Sequence, residues 1–204
     1  MAYTGDVTVG GPPDVRELPG LTITKAAVGP MDNNAYFLRC TATGEVLLVD
    51  AANEADRLLD VLGTDRLVRI VTTHRHGDHW QALSEVVDAT GAPVAAHPDD
   101  ADELPVAVSE RVGDGDTVRV GEAELSVIHL VGHTPGSIAL LYDANGRLAD
   151  TPHLFTGDSL FPGGVGNAFG VRENFERLVD DVEHKVFDRL PDGTWFYPGH
   201  GGDS

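Results

Sequence analysis

A single cysteine, Cys40, among 204 residues excludes an internal disulfide framework and any cysteine-based metal cluster. It lies in the apolar run 35–40, which predicts a buried structural thiol rather than a nucleophile. Lysine is almost as scarce. Lys25 and Lys185 stand alone, so there is no Lys-rich tail. In all, 14 Lys and Arg face 33 Asp and Glu, and the formal net charge of −19 disfavours nucleic acid and anionic lipid as partners. No apolar run approaches the roughly 18 residues of a membrane span, so no membrane association is expected. Residues 1–6 lack the charged and apolar stretches of a signal peptide, which points to a cytoplasmic protein. Neither a repeat nor a low-complexity block is found. Gly-x-Ser-x-Gly, P-loop and Gly-x-Gly-x-x-Gly patterns are missing too, so serine hydrolase, nucleotidase and dinucleotide readings have no support.

What is present reads as one large domain, long enough to bury about 70% of its unfolded surface without a disulfide or metal staple. Residues 1–20, rich in Gly and Pro, are expected to form an N-terminal arm packed on the catalytic domain 21–204. Strand-like runs follow at 21–28, 35–40, 46–49 and 67–72, then at 93–96, 118–120, 125–130, 138–142, 153–156 and 194–197. Helices are expected at 54–62, capped by Asn53, at 80–89, and at 173–190. In the last, Phe175, Leu178, Val179, Val182, Val186 and Leu190 fall at helical spacing and Pro191 stops the run. This mixture favours an α/β sandwich with mixed sheets over a doubly wound parallel sheet.

The nine histidines are unevenly placed. Thr73-His74-Arg75-His76-Gly77-Asp78-His79 follows the strand 67–72 directly. In extended chain, residues i and i+2 point the same way, so His74 and His76 can converge while Asp78 and His79 lie further along the loop. Imidazole and carboxylate suit zinc, and also iron or manganese. Three more candidates sit beyond other strand-like runs: His133 in Gly132-His133-Thr134-Pro135-Gly136, Asp158 in Gly157-Asp158-Ser159-Leu160-Phe161, and His200 in Pro198-Gly199-His200-Gly201. One ligand type per strand end is how an α/β scaffold gathers a site along one edge. His97, His129, His153 and His184 have no such setting and are read as structural or exposed.

The order His-x-His-x-Asp-His, Gly-His-Thr-Pro-Gly, Gly-Asp-x-Leu-Phe and Gly-His resembles the metallo-β-lactamase superfamily from about residue 21 onward. Within it, the chain is most similar to the glyoxalase II (hydroxyacylglutathione hydrolase) group and its small bacterial relatives. The resemblance implies an αββα sandwich: two mixed sheets flanked by helices, with a two-metal site at one edge. It implies that His74, His76 and His133 ligate the first divalent metal ion. Asp78, His79 and His200 would ligate the second, with Asp158 bridging. Zinc is the expected metal, with iron or manganese as alternatives. Asp50 resembles the aspartate that orients a ligand histidine from behind, or else simply ends its strand as a turn residue.

The implied activity is metal-dependent hydrolysis of the thioester of a small thiol, with a metal-bridging hydroxide as nucleophile and Asp78 and His79 as the catalytic pair. The partner is then a small-molecule acyl-thiol, and the protein a monomer or homodimer. Phe161, Asn167, Phe169 and Arg172 are assigned to the substrate pocket. The family usually has Lys or Arg where this chain has Asn167, and some members have Tyr where it has Phe169. Neither residue here can make the corresponding ion pair or hydrogen bond, which points to a thiol other than glutathione. The helical domain that adds glutathione contacts in larger members is not expected after Ser204. Arg75 and Arg172, the nearest basic residues, read first as surface or ion-pairing residues. A one-iron persulfide dioxygenase using His76, His133 and Asp158, a lactonase, and a non-catalytic metal-binding module are the alternatives.

Overall fold

The computed structural model describes residues 3–144 and 151–204; Met1 and Ala2 of the terminal segment read above lie outside them. A seven-stranded sheet takes the first half of the chain in sequential order. It comprises β1 (Asp14–Leu18), β2 (Leu21–Val28), β3 (Asn33–Cys40), β4 (Val46–Val49), β5 (Leu67–Val71), β6 (Val94–Ala96) and β7 (Glu110–Arg111). Helix α1 (Ala55–Leu62) connects β4 to β5, α2 (Leu83–Thr90) connects β5 to β6, and the single turn α3 (Pro98–Ala101) follows β6. The second sheet contains β8 (Thr117–Val120), β9 (Ala123–His129), β10 (Ile138–Tyr142) and β11 (His153–Gly157). After a small hairpin of β12 (Leu160–Phe161) and β13 (Gly164–Val165) and helix α4 (Arg172–Val182), β14 (Trp195–Pro198) joins that sheet beside β11.

Layering follows from the two-residue period of the strands. Tyr36 and Leu38 of β3 and Leu47 and Val49 of β4 face Val127 of β9, Leu140 of β10 and Phe155 of β11, in the core between the sheets. The intervening Phe37, Val46 and Leu48 face the other way and pack on Leu58 and Leu62 of α1 and Leu83 and Val86 of α2. On the far side, Ala139 and Leu154 pack on Leu178 and Val182 of α4. The order of layers is helix, sheet, sheet, helix. Both central sheets are buried on two faces, so β3 and β4 read as continuous apolar runs. Cys40 is buried in the inter-sheet core.

Several boundaries differ from those expected. Asp14–Leu18, within the arm, is an edge strand paired antiparallel to β2. Asn53 does not cap α1. Glu54 precedes the helix in a left-handed conformation, and the Asn53 side chain instead accepts the Glu54 N–H at 2.8 Å. Helix α2 begins three residues later than its apolar pattern suggests, because Gly77–His79 form a tight 3-10 turn ahead of it. Helix α4 stops at Val182 and opens into a wider π-type turn, Glu183–Phe187. Leu178, Val182 and Val186 keep one buried face across that change, but Phe175 is 50% exposed.

Two buried polar clusters tie the termini to the sandwich. The Lys25 ammonium, fully buried, donates to Gly5 O at 2.8 Å and Gly201 O at 2.7 Å and pairs with Asp203, which also accepts from Tyr3 Oη. Lys25→Ala strands the Asp203 carboxylate, and a loss of about 3–5 kcal/mol in urea-denaturation stability is expected. In the second cluster, Tyr197 Oη accepts from Arg16 at 3.2 Å and donates to His153 Nδ1 at 2.9 Å. Burial, aided by the Arg16 charge, pushes His153 down from 6.5 to about 4. Between those two values the unfolded chain binds a proton that the folded protein refuses, so stability falls as the pH drops through that window. The expected loss is about 2 kcal/mol, after a discount for the solvent that reaches part of the ring. His153→Gln should flatten the slope of stability between pH 7 and pH 4, and an unchanged slope would refute the assignment.

Candidate metal centre

Strands β4 and β5 are parallel, as are β11 and β14, and β9 runs in the same sense as β11 because each is antiparallel to β10. The carboxyl ends of these five strands therefore meet at one edge of the sandwich. Asp50 follows β4, residues 72–79 follow β5, His133 follows β9, Asp158 follows β11 and His200 follows β14. Cross-sheet hydrogen bonds close this edge: Ile138 N–H donates to Thr73 O at 3.0 Å and Asn34 N–H to Gly199 O at 2.7 Å. Glycine is needed at 199, where a Cβ would lie 2.2 Å from Asp158 Oδ1 and 2.6 Å from His79 Cε1.

All seven expected ligands come together. His74, His76 and His133 form one group with ligand atoms within 4.8 Å of one another, and Asp78, His79 and His200 form another. His76 Nδ1 lies 2.9 Å from His133 Nε2, and His79 Nε2 lies 3.2 Å from His200 Nε2. Asp158 reaches both groups. Its Oδ1 is 3.4 Å from His79 Nε2, and its Oδ2 is 3.7 Å from His133 Nε2 and 3.4 Å from His200 Nε2. Asp78 Oδ2 lies 3.3 Å from His200 Nε2.

The backs of the imidazoles are pinned. Asp50 Oδ2 accepts from His79 Nδ1 at 2.8 Å and from the Thr73 hydroxyl at 2.8 Å, and that hydroxyl oxygen in turn accepts from His74 Nδ1 at 3.1 Å. His133 Nδ1 donates to Asn167 O and His200 Nδ1 to Met31 O, each at 2.9 Å. In all four a proton is held at Nδ1 and Nε2 is turned toward the cluster; in His74 and His133, whose rings are held neutral, that Nε2 presents a lone pair. His76 differs, presenting Nδ1 toward His133.

Electrostatics divides the cluster. Burial pushes His74, His76 and His133 below their ordinary value, so they are held in the neutral, ligating form. Burial also opposes charge on His79, but Asp50 and Asp158 outweigh it and hold this imidazole up at about 9. Asp158 and Asp78 do the same for His200, at about 10. The His200 hydrogen bond holds the Asp78 carboxyl well below the carboxylate range, and His200 and His79 do so for Asp158 against the effect of burial. At neutral pH the centre thus sets three neutral imidazoles beside two carboxylates that are paired with the His79 and His200 imidazoles.

Two atoms test whether this donor set fits a metal. His74 Nε2 and Asp158 Oδ1 are buried with no hydrogen-bond partner, and both face the cluster. Leaving a buried polar atom unsatisfied costs about 1–3 kcal/mol. A divalent cation shared by imidazoles and carboxylates satisfies both, so the residues fit such an ion. A further grouping, His97 with Asp99 and His129, fits poorly. Its two imidazoles are stacked face to face at 3.8 Å, which sets their in-plane lone pairs side by side instead of convergent.

Phe169, 60% exposed, stands beside His76 and His133 with ring centroids at 5.2 and 5.6 Å. A groove of about 480 Å³ adjoins it, lined in part by Asn167, Ala168, Val171, Arg172 and Phe175. Phe161 lies on the other side, 6.5 Å from the His200 ring. The Asn167 side chain is used locally, its Oδ1 accepting from Phe169 N–H at 2.7 Å. Arg172, 89% exposed, pairs with Glu176 at 2.6 Å. Sequence reasoning missed Asn33, whose side chain donates to Asp78 Oδ2 at 2.9 Å, and Thr73. The signal was available, since Asn33 and Asn34 open an otherwise apolar strand, and polar side chains buried to 1% exposure need partners.

Residues 28–202 match the family model for the metallo-beta-lactamase superfamily. The hydroxyacylglutathione hydrolase of Cereibacter sphaeroides is 36% identical over 171 residues, covering 83% of this chain and 62% of that protein. The chain thus spans about three fifths of this curated relative. Among solved structures, ETHE1 from Myxococcus xanthus superposes with a TM-score of 0.77 at 28% identity, over 89% of this chain and 78% of that one. TTHA1623, solved in a di-iron-bound form, superposes with a TM-score of 0.73 at 29% identity, over 88% and 93%.

Asp50→Asn puts an amide where His79 and Thr73 both donate. A 10–100-fold loss of metal affinity is expected, measured by competition with a chromophoric chelator.

Proposed function

The chain belongs to the metallo-β-lactamase superfamily, and from that premise we propose that it is a binuclear metallohydrolase acting on the thioester of a small thiol. The observation that carries the reading is the pair of buried ligand atoms that make no hydrogen bond, His74 Nε2 and Asp158 Oδ1, at the middle of seven convergent side chains. His74, His76 and His133 would hold one divalent cation and Asp78, His79 and His200 the other, with Asp158 between them. Zinc suits the donors best, and iron or manganese is accepted by the same set. When bound, such a pair supplies Lewis acidity, lowering the pKa of water from about 15.7 toward 7 and polarising a carbonyl oxygen.

The chain's own groups do the rest. Asp78, steadied by Asn33, would orient the attacking water. His79, fixed by Asp50, keeps one ring nitrogen turned inward throughout. Phe169 shields the His76 and His133 side of the centre from bulk water and offers an apolar face to the acyl group. The leaving thiolate lies toward the groove lined by Val171 and Phe175. Asn167 offers that groove no cation, and the Arg172 guanidinium is already paired with Glu176. These two residues support a thiol with less negative charge than glutathione, although the relatives' name favours glutathione thioesters.

Hydrolysis of lactoylglutathione and of a panel of acyl esters of other small thiols tests this directly. Thioesterase activity with two metals per chain is expected, with a preference for the less anionic thiols. His76→Ala is expected to lower activity by at least a thousandfold and to remove one metal equivalent, and a fully active variant would sink the assignment. No turnover of any acyl-thiol by fully metal-loaded protein would favour a binding module. Oxygen uptake with a persulfide and one iron per chain would favour the dioxygenase that His76, His133 and Asp158 could serve.

A further inference from the structure

Asp100 lies outside the seven-residue cluster, in α3, and is 1% exposed. Its carboxylate is fully engaged. Oδ2 accepts the backbone N–H of Arg75 at 3.1 Å and the hydroxyl of Thr134, while Oδ1 accepts the backbone N–H of Gly136 at 3.0 Å. The Arg75 guanidinium lies alongside, its Nε at 3.8 Å from Oδ1. Arg75 stands between His74 and His76, and Thr134 directly follows His133. One buried carboxylate therefore grips both segments that carry the first group of histidines. These segments are also joined at their base, where Ile138 N–H donates to Thr73 O, but Asp100 ties them further out, nearer the His76 and His133 rings. The approach is close enough to dictate a neighbouring residue. A Cβ on Gly136 would lie 2.7 Å from Asp100 Cγ and 2.8 Å from its N.

We propose that Asp100 is a positioning residue that sets the separation of the His76 and His133 loops, and through it the affinity of the first cation position, without itself touching the ion. The role rests on the two-metal reading given above. A carboxylate is required because all three partners are donors. An amide would turn an N–H against one of them, lose that hydrogen bond and leave a buried donor unpaired. Outer partners that hold metal ligands are typically worth 10–100-fold in metal affinity.

The test uses Asp100→Asn, with cobalt(II) titrated into the metal-free protein and followed by its visible absorption. Amide hydrogen exchange at Arg75 and Gly136 is read in parallel. The parent should take up two equivalents. In the variant one equivalent should bind 10–100-fold more weakly with an altered spectrum, the other should stay within threefold, and both amides should exchange at least tenfold faster. Leu58→Ala, a cavity variant in the α1 core, controls for lost stability and should retain both cobalt affinities. If Asp100→Asn does not fold, Thr134→Val removes a single donor, and a threefold to tenfold loss at the same equivalent is expected. Native cobalt affinities in the folded variant would overturn the role of Asp100 alone. So would a Leu58→Ala protein that loses the same equivalent. A parent protein that binds no cobalt would overturn the two-metal reading, and the positioning role with it.

Discussion

The centre is organised around the carboxylate of Asp50. One oxygen takes the His79 Nδ1 proton and the Thr73 hydroxyl, which carries the constraint on to His74, while the other takes the Thr73 backbone N–H at 2.7 Å. Two imidazoles, one from each group, therefore have their tautomers and ring tilts set by the same buried side chain. Asp50 itself is held with φ at 57°, a left-handed conformation that Asp tolerates better than most residues. The neighbouring strands β4 and β5 are parallel and in continuous register from Leu47–Arg69 to Val49–Val71, which holds the aspartate beside the loop it grips.

Everything else at this edge answers the same physical problem, which is to hold charged and polar groups together in a buried place. Five imidazoles and two carboxylates repel or attract one another strongly at these separations. The fold places the three histidines held neutral on one side and Asp78 with His79 and His200 on the other, with Asp158 facing both. Rigidity comes from outside the cluster. Asn33 steadies Asp78, Asn34 and Tyr36 hold Pro198 O, and Lys25 holds Gly201 O just beyond His200. The Lys25 ammonium thus joins the His200 loop to the first sheet and the N-terminal arm at once.

The groove beside the centre is built differently. The segment after Asp158 is a small hairpin and a glycine-rich turn, in which Phe169 is positioned by the Asn167 side chain and His133 by the Asn167 carbonyl. One residue thereby holds both the His133 ring and the groove wall. Exposed Val171 and Phe175 extend that wall, and among the described residues the one cation lining it, Arg172, pairs with Glu176. With a net charge of −19, the chain as a whole disfavours the approach of anions.

The seven clustered residues were legible because their chemistry leaves a dense local mark: four potential ligands in six positions, and the others each in a Gly-bounded turn after an apolar run. The four layers were legible too, since alternate residues of each strand must face different cores. Three things were not. Helix ends were misplaced at Asn53 and at residue 80, where Asn53 bonds Gln81, Glu54 bonds Gly29 and His79 of the 3-10 turn bonds Asp50, all contacts distant in sequence. The strands β1, β7, β12 and β13 are short or exposed, and they exist because a neighbour offers them a hydrogen-bonding edge. Of the supporting polar residues, Asn33 is marked only by a polar pair opening an apolar strand, and Thr73 and Asp100 carry no local signature. A buried hydrogen-bond partner is chosen by what the folded chain brings within 3 Å, and that distance does not exist until the two sheets have closed on each other.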